Sequence, residues 1–210
     1  MSPFFRRACI ATTILAGSGL ILFLYWPSNR MPPRPASSVV TGVAAIGGPF
    51  ALTDTKGNTV TEAALQGRYS LIYFGYTFCP DICPLILQNM TDAIQTLGPD
   101  GDAVLPVFIT IDPERDTTEV MAAYLEHFHP RFVGLRGAPE QTAQAVQSYR
   151  AYARKAETTG PADKAGGAYV MDHTGYIYLM DKDGKYVTHF KMDTPSAEMS
   201  ARIKQAQSAP

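Results

Sequence analysis

The run Tyr73-Phe74-Gly75-Tyr76-Thr77-Phe78-Cys79-Pro80-Asp81-Ile82-Cys83-Pro84 constrains this chain more than any other stretch. Ser70 to Phe74 is apolar and aromatic, and of a length suited to a buried strand. Beyond the cysteines, Leu85, Ile86, Met90, Ile94 and Leu97 recur at roughly helical intervals, which predicts an amphipathic helix. Pro84 suits the first turn of that helix, where a missing N–H costs nothing. The two thiols therefore belong to a strand-to-helix turn, at or just before a helix N-terminus whose partial positive charge favours thiolate over thiol. On a helical segment a spacing of four puts both sulfurs on one face. They can then close a disulfide or hold one soft metal ion. Packing as two small core hydrophobes is the plainer reading, but Pro80 and Asp81 between them make a polar, turn-prone tip. The spacing is not the redox C-x-x-C, and no second pair exists to complete a four-cysteine zinc site. A metal would need a third ligand from elsewhere in the chain.

The first forty or so of the 210 residues differ in character from the rest, leaving about 165–170 for one domain. That is enough for a proper core without disulfide scaffolding. A formal net charge of −1 argues against a nucleic-acid surface. Residues 1–26 read as an N-terminal membrane anchor, with Arg6 and Arg7 ahead of an uncharged span over 8–26. At about 1.5 Å per residue that span covers roughly 28 Å, close to the ~30 Å hydrocarbon core of a bilayer. Tyr25 and Trp26 close it as an interfacial belt would. A cleaved signal peptide is the rival, but Leu24-Tyr25-Trp26-Pro27 offers no small-x-small site. Arg30 and Arg34 balance the two leading arginines, so orientation rests on signal-anchor behaviour. Residues 27–39 are a proline-rich, semi-rigid linker, and 40–210 form the globular domain. Cys9 falls in the anchor and is structurally idle.

Along the domain, residues 50–60 predict a small hairpin and Val104 to Ile111 a second apolar strand. Asp116 or Thr117 caps the next helix, and Asp116-x-x-Glu119 has capping-box spacing. That helix ends before Pro130. Phe132 to Leu135 is a short strand, and Pro139 starts a helix towards Tyr149. Tyr152 to Lys155 is a strand, followed by a loose, glycine-rich 157–167 stretch. Tyr176 to Met180 and Tyr186 to Phe190 pair as a hairpin. Thr194 caps a last helix with Pro195 at its first position. The order predicts an α/β layered domain with a mixed sheet, its active groups at strand C-terminal ends, where the cysteines lie.

Four histidines are available as a third ligand. His127 and His129 read as complements to a helix dipole, and His189 as a solvent-facing strand residue. His173, in Met171-Asp172-His173-Thr174-Gly175, sits on a polar loop with no apolar periodicity. It is either a solvated polar residue or a ligand. If it reaches the thiols, the S₂N set suits Cu(I), or Cu(II) with an added ligand, and Asp172 is placed to orient the imidazole.

The cysteine run resembles the signature of the Sco/SenC family of copper proteins. Phe108-Ile109-Thr110-Ile111-Asp112-Pro113-Glu114-Arg115-Asp116-Thr117 resembles that family's second block, and Asp172-His173-Thr174 followed by Ile177-Tyr178-Leu179-Met180-Asp181 its third. The resemblance covers about 48–190. It implies a thioredoxin-like α/β fold, a mixed central sheet flanked by helices, with an extra N-terminal hairpin and a C-terminal hairpin near the metal site. It further implies that Cys79, Cys83 and His173 bind one copper ion, Cu(I) or Cu(II). The implied role is delivery of copper to the Cu-A centre of cytochrome c oxidase subunit II, or reduction of that centre's thiols. Asp112 and Asp116 match acidic positions of the family and are expected to give site support or partner contact.

Two functions follow. One is a membrane-tethered metallochaperone, loaded by an upstream copper donor. The other is an enzyme, a thiol–disulfide reductase with Cys79 as nucleophile and Cys83 as resolving thiol. Peroxide reduction on the same fold is a third, weaker option. The short stretch before the anchor favours a bacterial inner-membrane protein with its soluble domain in the periplasm.

Overall fold

The two runs Tyr69–Gly75 and Val104–Thr110 are buried at every position, as unalternating apolar segments must be when both faces of a sheet are covered. The computed structural model describes residues 46–156 and 169–208. The predicted anchor and linker, Cys9 and the 157–167 stretch lie outside them. In order the chain forms β1 (Ala51–Asp54), β2 (Thr59–Thr61), β3 (Tyr69–Gly75), α1 (Ile82–Thr96), β4 (Val104–Thr110), α2 (Thr118–Leu125) and β5 (Val133–Arg136). There follow α3 (Pro139–Ser148), β6 (Ala153–Lys155), β7 (Met171–His173), β8 (Ile177–Met180), β9 (Tyr186–Phe190) and α4 (Ser196–Gln207).

Seven strands make one mixed sheet in the order β2-β1-β5-β4-β3-β8-β9. β3 pairs in parallel with β4, and β4 with β5, while β8 runs antiparallel to β3. β1 and β2 form the expected N-terminal hairpin, and β8 and β9 the C-terminal one. β6 and β7 stand apart as a two-stranded ribbon. On β3, Tyr73 faces Phe108 at 6.3 Å between rings, while Phe74 points the other way onto Tyr149, just past α3, at 5.3 Å. α1 buries Cys83, Ile86, Leu87, Met90, Ala93 and Ile94 along one stripe. Each large aliphatic side chain so removed from water contributes about 1.5–3 kcal/mol. Cys83, the second of the two thiols, is thus also a core residue.

Several local expectations change. Thr117 is the N-cap of α2, accepting from the Val120 N–H at 3.3 Å. Asp116 is buried and bonded elsewhere, so no Asp116–Glu119 box forms. α2 ends at Leu125, and His127 and His129 lie beyond it. The His129 N–H donates to Thr91 Oγ1, and His129 Nδ1 accepts from the Arg131 N–H. Burial and the neighbouring Arg131 lower its pKa, so it is no dipole complement. His189 is half-buried rather than solvated: Nδ1 lies 2.5 Å from the Tyr186 hydroxyl, and Tyr176 covers the ring at 4.5 Å. Pro195, not Thr194, is the N-cap of α4. Thr194 is buried, and its carbonyl accepts from Asn89 Nδ2.

Candidate metal centre

β3 delivers the cysteine loop by ending at a residue with no side chain. A Cβ on Gly75 would lie 2.7 Å from Tyr73 Cε1, 2.9 Å from Phe108 Cε2 and 3.2 Å from Cys83 Sγ. Only glycine lets the buried sulfur rest against the strand end. α1 then begins at Ile82, with Cys83 and Pro84 in its first turn. Both thiols are free; Cys83 is fully buried and Cys79 partly exposed. The Cys83 N–H points at Cys79 Sγ from 3.4 Å.

This placement splits the two thiols chemically. Cys79 is lowered to about 5, chiefly because the Cys83 thiol donates to it, with the N–H groups of residues 81–83 helping against burial. Cys83 is raised, because it donates its proton to Cys79 and because it is buried. The Tyr73 hydroxyl lies 3.3 Å from Cys83 Sγ, and burial together with the two thiols raises the phenol as well. At neutral pH Cys79 is therefore the thiolate, and Cys83 keeps its proton until a cation or an electrophilic sulfur draws it off. Because the Cys79 pKa is lowered, its reactivity belongs to the region above that value. Alkylation by iodoacetamide should rise through pH ~5, level off before pH 7 and mark Cys79 before Cys83. Peptide mapping across pH checks this; labelling that climbs only above pH 8 contradicts it.

His173 is on a strand, not on the expected loop. It ends β7, pairs with Ala153 of β6, and is anchored further by the Thr174 N–H to the Tyr152 carbonyl at 2.9 Å. His173 Nε2 lies 4.0 Å from Cys83 Sγ, and Nδ1 lies 3.0 Å from the Thr174 carbonyl. A carbonyl only accepts, so Nδ1 carries the proton and the Nε2 lone pair is the one free for a metal. Asp172 does not orient the imidazole. It alternates to the other side of the strand, where it accepts from Tyr152 Oη and Arg154 at 3.2 and 3.4 Å. The rings of Tyr73 and Tyr76 flank the imidazole edge-on, at 6.1 and 5.9 Å.

Metal–sulfur and metal–nitrogen bonds of about 2.3 and 2.0 Å, near trigonal or tetrahedral angles, put the two donors roughly 3.5–3.7 Å apart. The 4.0 Å separation is a few tenths from that. Among the described residues no three Cys, His, Asp or Glu side chains are already closed tightly enough to hold an ion, so binding requires a small inward step. Two thiolates and an imidazole nonetheless form a soft donor set that fits copper.

Site support from Asp112 and Asp116 was expected from the sequence, but the partners through which they brace this loop were not. Arg115 ion-pairs with Asp112, stacks on Tyr169 at 3.6 Å, reaches Phe78 at 4.9 Å, and donates from Nη1 to the Tyr169 carbonyl at 2.9 Å. Tyr169 Oη in turn donates to Asp112 at 2.6 Å. The end of β4 is thereby tied to the cysteine loop and to the approach to β7. Asp116 accepts from the Thr77 N–H at 3.1 Å, Thr77 Oγ1 at 2.6 Å and Thr110 Oγ1 at 2.5 Å. Both aspartates are at most 1 % exposed, which fits support of the site rather than a surface offered to a partner. The second sequence block contained Arg115, but nothing in its spacing announced a cation stacked across two loops.

The SCO1/SenC family model matches residues 39–208. The chain belongs to this family. The SCO2-like protein of Rickettsia felis is 39% identical over 201 residues, covering 94% of this chain and 95% of the relative. Among solved structures, Bradyrhizobium japonicum ScoI with copper bound is 45% identical, with a TM-score of 0.68 over 77% of this chain and 99% of that one. Yeast Sco1 with copper bound is 36% identical, with a TM-score of 0.71 over 79% and 91%. The mixed sheet with its flanking helices is the thioredoxin-like architecture of these Sco structures.

Proposed function

We propose that this Sco protein is a copper metallochaperone that carries one copper ion on Cys79, Cys83 and His173 and delivers it to the Cu-A centre of cytochrome c oxidase subunit II. The observation that carries the reading is the convergence of a ready thiolate, a buried partner thiol and an imidazole whose free nitrogen faces that thiol at 4.0 Å. The copper-bound relatives support copper as the cargo. Cys79 is the exposed donor that meets the ion first; Cys83 and His173 complete the set by giving up a proton and by presenting Nε2. Phe78, Ile82, Leu85 and Val170 stay exposed around the thiols. Such an apolar collar fits a partner docking over the site, so that ligands exchange away from water. Residues 8–26 would anchor the chain in a bacterial inner membrane, 27–39 would space the 40–210 domain from it, and the site would face the periplasm, where an upstream donor loads it.

The test mixes the copper-loaded full chain with copper-free subunit II Cu-A domain under reducing conditions. After anaerobic transfer and a one-electron oxidation of the separated Cu-A domain, its mixed-valence absorption bands should have grown as the chain lost copper, and Cys79→Ser should abolish the transfer. No transfer from a loaded chain rejects the delivery step.

A second reading has its own observation. A partly exposed thiol of low pKa beside a buried one of high pKa is the arrangement of a thiol–disulfide reductase. Cys79 would attack a partner's disulfide, forming a mixed disulfide and releasing one thiolate. Cys83 would then close on Cys79, releasing the second thiol and leaving the chain oxidised by two electrons.

A further inference from the structure

Met192 follows β9 and is 47 % exposed, a thioether outside the core. It walls two cavities, each of which also reaches His173. One, of about 330 Å³, is shared with Cys79 and Tyr76; the other, of about 430 Å³, with Gly175 and Tyr176. Gly175 shows why the side chain lies there. Its backbone is not left-handed, so conformation alone does not call for glycine. A Cβ at that position would come within 2.3 Å of Met192 Cε and 3.7 Å of Sδ. The bare backbone two residues beyond His173 is the seat on which the Met192 methyl rests.

A thioether is soft, uncharged and has no proton to lose. It binds Cu(I) more weakly than a thiolate does, and it has little appetite for harder ions. We propose that Met192 is an auxiliary donor for Cu(I), which takes the third position on the ion when His173 releases it. This rests on the copper reading above. In the exchange the Cu–N bond to His173 breaks and a Cu–S bond to Met192 forms; copper stays Cu(I) and no electron moves. The ion therefore passes between the chain and its partner without falling back to the two cysteines alone, and Met192 stands on the wall between the cysteine side and the open side of His173.

The experiment uses the full chain with selenomethionine at its eight methionines, reduced and given one equivalent of Cu(I). Copper-edge X-ray absorption then separates methionine selenium from cysteine sulfur. In His173→Ala the copper should gain a selenium neighbour, which should vanish when Met192→Leu is added and shrink when Gly175→Ala pushes the methyl off its seat. In the same His173→Ala background, Met192→Leu should weaken Cu(I) binding by about tenfold further. Copper held by sulfur alone in His173→Ala, or a selenium neighbour that survives Met192→Leu, overturns this inference and leaves the copper reading standing. A parent chain that takes up no Cu(I) overturns both.

Discussion

His173→Ala should weaken Cu(I) binding by about two orders of magnitude or more, since loss of a group that merely orients a ligand already costs 10- to 100-fold. Of the two His173 ring nitrogens, Nδ1 is held by the Thr174 carbonyl, and Nε2 faces Cys83 from the end of a strand tied down by backbone pairing. The substitution removes a half-buried ring without touching that pairing, so the domain stays folded. Dithiol chemistry needs only Cys79 and Cys83, and exchange with a small disulfide should survive. Competition of the reduced chain and its variant against a chromophoric Cu(I) chelator reads the first effect, and thiol release from the disulfide the second. Equal loss of both would erase the distinction between the two functions.

Asp116→Ala should destabilise the domain by about 3 kcal/mol, through the Thr77 N–H and two hydroxyls stripped of a buried acceptor. At about 2–4 °C per kcal/mol for a domain of this size, the melting temperature should fall by roughly 10 °C. Asp116→Asn keeps the shape and an acceptor, and should lose much less. Burial raises the Asp116 pKa despite its hydrogen bonds. A raised pKa means that the folded state favours the protonated acid, so this residue's contribution is largest below the unfolded carboxyl range and declines as pH rises through its folded value. Melting curves of the parent and both variants at acid and neutral pH test the size and the slope. A drop below about 0.5 kcal/mol in Asp116→Ala, the range of an ordinary surface change, would contradict the bracing role.

What could be read from the chain beforehand was whatever periodicity or punctuation announces. The β3 and β4 runs were legible because no charged residue interrupts their apolar stretches, and α1 because its buried residues fall on one stripe. β7 was not, since Met171-Asp172-His173 is too short to show alternation, and its partner β6 is held in a separate ribbon. The cysteine pair was legible from spacing and position, but not the division of labour between its members. That depends on one sulfur being sunk against Gly75 while the other meets three N–H groups. Asp116 looked like a helix cap because caps are read from local spacing; its partners, Thr77 and Thr110, come from two other parts of the chain. The Arg115–Tyr169 stack and the Met192 seat on Gly175 are likewise long-range, and no window of sequence contains them.

The measurement that tests the central claim most directly is an anaerobic Cu(I) titration of the reduced full chain, beside Cys79→Ser and Cys83→Ser. The account predicts one tightly held Cu(I) per chain and loss of that binding in either variant. Tight binding that survives both substitutions, or none in the parent chain, would contradict it.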